Sequence, residues 1–413
     1  MSSGVAGLLV LGLDAAAVAS VPLLWVFAIL TAKFPHAGGI AHLVEQAFGR
    51  TASIVASFIF LGAVLLGLPS IALTGGYYFE SAFSSAFSSV LASAATSFLF
   101  SANSVAIFLL CLAGGLNLCA PRTAKKIGAV AAVLMSAFII ALIAASIYVL
   151  LAETSWQNIV DKLGVIANPT SVDVRAVSAV FFMVFFAFTG WEVVIGMSGE
   201  FKRPARNIPI AIFASFILAF LLSIACVLVV LLSRPTAWNE AAFVHVLQPK
   251  FGADIGMLVA LGAVFLISVN LFAAIWGVSR MVFSLAATGV LPQFVGELHA
   301  DSNRGGKTPR NAVLLLLGVL LLIVLVDRSG ALGVDDFLFY SGQNFFILYG
   351  LVCAAAVKKL DRPAQKSAAL FALLLVCALV FWSADWQTVV YPLALALFAV
   401  GVSLATEKTR SLT

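Results

Sequence analysis

The chain has 413 residues, 62% of them hydrophobic and only 10% charged, with a mean hydropathy of +1.12. Soluble domains carry about 25% charged residues, so the composition excludes an ordinary water-soluble protein and describes a chain that crosses a bilayer many times. The formal net charge of +5 therefore bears on loops and topology and implies no nucleic-acid partner.

A span takes about 20 apolar residues. In chain order, candidate helices fall at roughly 12–33, 52–76, 97–119, 127–152, 175–198, 208–232, 253–285, 311–327, 335–357, 366–383 and 387–405, eleven in all. The N-terminus lacks the charged n-region and small-residue cleavage site of a signal peptide. Its first apolar run continues to Ala32, interrupted only by Asp14. Phe34 to Gly39 forms a turn with Pro35 and Gly38-Gly39, leading into an amphipathic stretch up to Phe48. It reads as a structural elbow or an inner gate. In the second helix Pro69 loosens the backbone, beside Leu68, and the small Ala72 leaves room for a side chain. The Ser/Ala-rich stretch from Leu91 to Ser104 lets the third helix begin several positions either way.

The fifth helix is the most informative. Its apolar run is broken by Thr189-Gly190, followed at once by Trp191 and Glu192. Gly costs a helix about 1 kcal/mol relative to Ala, and an ionisable group at membrane depth about 2.5–3.5 kcal/mol. A lipid-facing anchor has no use for both within three residues. A helix that opens its backbone around a polar solute does, because freed N–H and C=O groups are tolerated at that depth only where they line a protein cavity. Exposed carbonyls of Ala187, Phe188, Thr189 and Gly190 can accept from an ammonium, and the following half-helix favours a carboxylate. The competing reading is a plain kink, with Thr189 bonded back to its own helix. Glu192 either relays a proton or locks two helices through hydrogen bonds. Trp191 shapes a pocket wall or packs.

Further along, Asn270 and Ala274 lie one turn apart on one face of the seventh helix. Ser341, Gln343 and Asn344 make a second polar cluster in the ninth. Either set could serve interhelical hydrogen bonds instead. The five cysteines are scattered with no CxxC pair and read as small buried hydrophobes. The four histidines lie far from metal-type ligands, so neither metal nor cofactor is expected.

Loop charge sets the orientation. Eighteen of the 23 Lys and Arg residues fall on one alternating set of loops, which the positive-inside rule assigns to the cytoplasm. The C-terminus is then cytoplasmic and Met1 outside. Trp156, Trp238 and Trp386 lie near span ends on the outer side, as interfacial anchors do.

Four places carry a family resemblance. Lys33-Phe34-Pro35-His36-Ala37-Gly38-Gly39 with Ala47-Phe48-Gly49 resembles the loop after the second helix of the amino acid–polyamine–organocation transporter superfamily. Phe186 to Glu192, with the Glu200-to-Pro209 loop, resembles its sixth helix and the loop that follows. Ser279-Arg280 with Gly289-Val290-Leu291-Pro292 resembles the end of its eighth, and Thr308-Pro309-Arg310-Asn311-Ala312 the start of its ninth. The resemblance covers essentially the whole chain. Val26 to Leu30 and the span at 335–357, the family's tenth helix, are similar to the bacterial exporters of methionine and branched-chain amino acids.

The resemblance implies an all-α inverted five-helix repeat fold, with twelve spans in the family and about eleven here. Residues 1–152 would be the remainder of the first repeat, 175–357 the second, and 366–405 two extra helices, within one transporter domain. The family's first helix has no counterpart, so a late start codon or a remnant is expected. The implied function is secondary active transport, as an exporter or exchanger (antiporter), of neutral, hydrophobic amino acids across the cytoplasmic membrane. Partners would be an amino acid, the bilayer, and H+, Na+ or an exchanged amino acid. Implied substrate-binding residues are Phe186 as an aromatic lid, Ala187, Phe188, Thr189, Gly190, Trp191, Leu68, Ala72, Asn270, Ala274, Ser341 and Asn344. Glu192 is the proton-coupling candidate. Cationic and acidic substrates would lack counter-charges. The 127–152 helix carries no mid-membrane lysine, so relatives that use one in place of sodium are poor guides. The alternatives are a transport-inactive truncated homologue or a membrane receptor. A membrane enzyme would need an Asp/His cluster or a nucleophile–base pair that the chain lacks.

Overall fold

The computed structural model describes residues 3–34, 39–86, 98–119, 124–167, 174–196, 202–233, 241–300, 307–382 and 386–410. Among these, the apolar runs fold into helices, which satisfy every backbone hydrogen bond within the segment, as the hydrocarbon core demands. They are α1 (Ser3–Lys33), α2 (Gly39–Phe48), α3 (Arg50–Ala86), α4 (Ala102–Cys119), α5 (Ala124–Glu153), α6 (Trp156–Ala167), α7 (Val174–Ala187), α8 (Trp191–Gly196), α9 (Pro204–Ser233), α10 (Ala242–Phe251), α11 (Ala253–Ala287), α12 (Arg310–Arg328), α13 (Val334–Lys359), α14 (Pro363–Trp382) and α15 (Trp386–Arg410). A two-residue pair, His299–Ala300 with Lys307–Thr308, is the only strand pairing among the described residues.

Among the described residues each of the eleven expected spans is helical over most of its length, the 175–198 span being interrupted at residues 188–190. Among the described residues nine helices are long and apolar enough to cross a membrane, while Ala102–Leu118 and Ala176–Ala187 are apolar but shorter. Protein surrounds α1, α3 and α13 most fully, burying 61–67% of their apolar windows, against 17% for α14 and α15. The last two therefore present most of their apolar surface outward, as lipid-facing helices do. α3 runs unbroken through Pro69.

The chain divides into two compact units, and divisions fall inside α1, α3, α9 and α13. Each unit therefore draws on both halves of the sequence. One unit comprises Met1–Gly7, Leu68–Thr170 and Leu222–Phe337. In it α4 packs on α11 and α12, and α11 also packs on α5 and α10. Asn117, buried on α4, donates from Nδ2 to the Phe272 carbonyl of α11 at 3.0 Å and to the Ala113 carbonyl at 2.9 Å. Glu80 on α3 accepts the Ala102 N–H at 2.8 Å, capping α4. A core of Ala82, Val149, Val244, Leu247, Val259 and Ala260 joins α3, α5, α10 and α11. At its edge His245 Nε2 lies 3.0 Å from Ser81 Oγ. The Gly289-to-Pro292 motif stops α11, where Val290 N–H donates to the Leu285 carbonyl at 2.8 Å. Asn311 then reaches back to the Phe294 carbonyl at 2.6 Å, so the two sequence motifs meet.

The other unit comprises Leu8–Gly67, Ser171–Leu221 and Leu338–Thr413. Here α3 is stitched to α13 by Ser341, whose hydroxyl donates to the Ala63 carbonyl at 2.7 Å. It is stitched to α15 by Tyr391, which donates to the Gly62 carbonyl at 2.9 Å. Thr51 and Ser403 hydroxyls meet at 3.0 Å. Lys33, at the end of α1, donates to the Lys359 carbonyl at 3.0 Å and pairs with Asp361. That ammonium holds the Asp361 carboxyl below the usual carboxylate range. In the elbow, residues 35–38 lie outside the described residues. The amphipathic stretch after it is α2, which buries Ile40, Leu43, Val44 and Ala47 and touches α8.

Candidate functional site

The break stands where the sequence expects it. α7 ends at Ala187, α8 begins at Trp191, and Phe188 to Gly190 are non-helical. Gly190 adopts φ 119°, a conformation that side-chain-bearing residues rarely reach. A helix leaves its last carbonyls without N–H partners. Two are taken up locally: the Phe188 N–H donates to Phe185 at 3.0 Å and the Thr189 N–H to Phe186 at 3.1 Å. The Thr189 hydroxyl also donates to the Phe186 carbonyl at 2.7 Å. Back-bonding by Thr189 and an open break therefore occur together. Ala187 and Gly190 are exposed, while Phe188 is buried.

Glu192 bridges two helices. One carboxylate oxygen accepts the Gly190 N–H at 2.8 Å, and the other accepts the hydroxyl of Tyr349 on α13. Tyr349 is fully buried. Trp191 stacks on it, ring centroids 5.3 Å apart and 26° between planes. Phe27 of α1 meets the edges of both rings, at 4.8 Å from Tyr349 and 6.2 Å from Trp191. Phe216 of α9 lies 6.4 Å from Trp191 and 5.6 Å from Phe188. The break is thus seated in aromatic rings from α1, α9 and α13, and Trp191, with 5% exposure, packs among them.

Phe186 points toward α13, with its ring 6.1 Å from that of Phe345. A β-carbon on Gly67 would come within 2.6 Å of the Phe186 ring and 2.8 Å of Ser341 Oγ. Gly67 therefore lets α3 approach both. Gly342 is tighter still, since a β-carbon there would fall 1.9 Å from the Phe182 carbonyl oxygen of α7. Asn344, next in the polar cluster, is completely buried.

The site residues expected from sequence divide between the units. Phe186 to Glu192, Ser341 and Asn344 belong to the unit holding the break, where Phe186 and Ser341 come together around Gly67. Leu68, Ala72, Asn270 and Ala274 belong to the other unit. There Leu68 and Ala72 are buried, Asn270 is exposed and Ala274 half-buried. The sequence reading missed Tyr349, Phe27, Gly67 and Gly342. Tyr349 shares α13 with the hydroxyls of Tyr340 and Ser341, so no sequence signal singles it out as the partner of Glu192. Among the described residues no group of three His, Cys, Asp or Glu side chains could hold a metal ion.

A helix interrupted at a glycine and tied to its neighbour by a carboxylate is a geometry that membrane solute carriers share. Comparison with known proteins gives the family. The amino acid permease family profile matches residues 1–406, and the chain belongs to that family. It is 28% identical over 374 residues to the uncharacterized amino acid permease YecA of Bacillus subtilis (strain 168), covering 88% of this chain and 79% of that protein. It is 25% identical over 376 residues to the L-methionine/branched-chain amino acid exporter YjeH of Escherichia coli (strain K12), covering 89% and 81% respectively.

Proposed function

We propose that the protein is a secondary active transporter, exporter or exchanger, of neutral amino acids with hydrophobic side chains, working by alternating access in the cytoplasmic membrane with its C-terminus inside. The observation that carries this reading is the break at residues 188–190, held open by a glycine at φ 119°. With the helix broken, no following helical turn donates its N–H groups to the carbonyls of Ala187, Phe188 and Thr189, so they serve a substrate ammonium. Phe186 closes over the bound side chain. The aromatic and aliphatic surroundings favour an uncharged, apolar side chain, in keeping with the substrates for which the E. coli relative is named.

Glu192 is a candidate for proton coupling as well as a lock between α8 and α13; Na+ coupling and amino acid exchange are the other routes. Export and uptake of radiolabelled L-methionine and L-leucine by the reconstituted protein, under imposed H+ or Na+ gradients, test the reading. Saturable movement of either amino acid supports it. Absence of any amino acid flux from correctly inserted protein overturns it.

A further inference from the structure

We propose that Gln343 and Asn344 each offer a neutral hydrogen-bonding subsite to a small group that donates and accepts at once: a buried water, or the hydroxyl or carboxamide of a bound amino acid's side chain. This extends the transport reading from apolar to other neutral side chains and rests on it for the second source. Both residues lie in the interior of α13 and are 1% and 0% exposed. Oε1 and Nε2 of Gln343 and Oδ1 and Nδ2 of Asn344 are all enclosed and have no hydrogen-bond partner among the described residues.

The rest of α13 handles its polar atoms differently. The Ser341 hydroxyl is bonded to Ala63 and that of Tyr349 to Glu192. Enclosed amides without partners are costly, the more so within a span. Leucine or methionine would fill the same volume without that cost. Two adjacent amides with both donors and acceptors unmet therefore point to a ligand of matching chemistry. A cation would satisfy only the two carbonyl oxygens and face the NH2 groups with like polarity; an anion would do the reverse. A neutral hydroxyl, carboxamide or water satisfies both kinds.

Position supports the assignment. Asn344 precedes Phe345, whose ring is 6.1 Å from that of Phe186. One turn earlier on α13, Ser341 shares the Gly67 contact with Phe186. The amide pair is thus about one helical turn from the ring that flanks the break.

The test uses the full chain in nanodiscs and proteoliposomes, with L-leucine, L-threonine and L-glutamine as probes, and the variants Gln343→Leu and Asn344→Leu. If the subsite serves a side chain, the leucine substitutions lower the ratio of threonine or glutamine flux to leucine flux about tenfold or more. If it serves water, the ratio is unmoved, the wild-type side-chain amides receive magnetisation from water in water-edited solid-state NMR, and both variants melt at lower temperature than wild type. Unmoved ratios, no transfer from water, and variants that melt higher than wild type would overturn the proposal, because removing truly orphaned amides stabilises. The NMR arm needs no variant to fold. Should the wild type carry none of the three amino acids nor L-methionine, the transport reading fails while the NMR and melting arms still decide the subsite.

Discussion

The hydroxyl of Tyr349 donates to the carboxylate of Glu192 across α13 and α8, while the second oxygen of that carboxylate holds the Gly190 N–H at 2.8 Å. One side chain thereby links the backbone of the break to a neighbouring helix. The two residues should behave as a unit. We expect Tyr349→Phe and Glu192→Gln each to lower thermal stability, and the double variant to lose less than the two singles together. The expected coupling is about 0.5–3 kcal/mol. Melting curves of the four proteins in one detergent check this, and strict additivity would count against the link.

Gly190→Leu should abolish amino acid flux while leaving membrane insertion intact. Nothing lies within 4 Å of a β-carbon built on Gly190, so the cost arises from backbone strain at φ 119°. Such strain is worth about 1–3 kcal/mol, and relieving it would reshape the break. Flux measured against surface-labelled protein separates the two effects. Flux at the wild-type level would reject the main-chain cradle.

At Gly342 the constraint is space. An added methyl would press on the Phe182 carbonyl oxygen at 1.9 Å, so Gly342→Ala must push α13 away from α7. Overpacking of this kind costs about 1–3 kcal/mol. A lower melting temperature and reduced abundance are expected, whereas Gly401→Ala, with nothing within 4 Å of its β-carbon, should be silent.

His245 gives a pH dependence. It lies on α10, outside the spanning helices, and burial lowers its pKa below the usual value. The folded state therefore binds fewer protons than the unfolded chain between the folded pKa and about 6.5. Stability is then full above that unfolded value and falls as pH drops toward the folded pKa. Melting temperature should decline from pH 7.5 to pH 5.5, and His245→Gln should flatten the decline. An identical pH profile in the variant would show that other groups set it.

Much of this was legible in the sequence because membrane folding rests on patterns that a single chain displays. Apolar run length located the helices, and Thr189-Gly190 located the break, since glycine beside an ionisable residue has little other reason to occur in a span. The amphipathic pattern after Gly39 foretold the buried face of α2. What stayed hidden was pairwise. Nothing near Glu192 in sequence names Tyr349 as its partner, because they are 157 residues apart. Likewise the importance of Gly67 and Gly342 lies in atoms of other helices. The polar cluster on α13 was visible as composition, yet only the fold distinguishes Ser341, which has a carbonyl to bind, from Asn344, which has none among the described residues.

The described part of the half-helix α8, Trp191–Gly196, starts directly at the break, so its first turn has no preceding helix to align it. Its direction is instead dictated from outside, by the rings of Phe27, Phe216 and Tyr349 closing on Trp191 and by the α2 surface beside it. Alterations in ring size at Phe27, Phe216 or Tyr349 should therefore re-aim the segment without touching the backbone of the break itself.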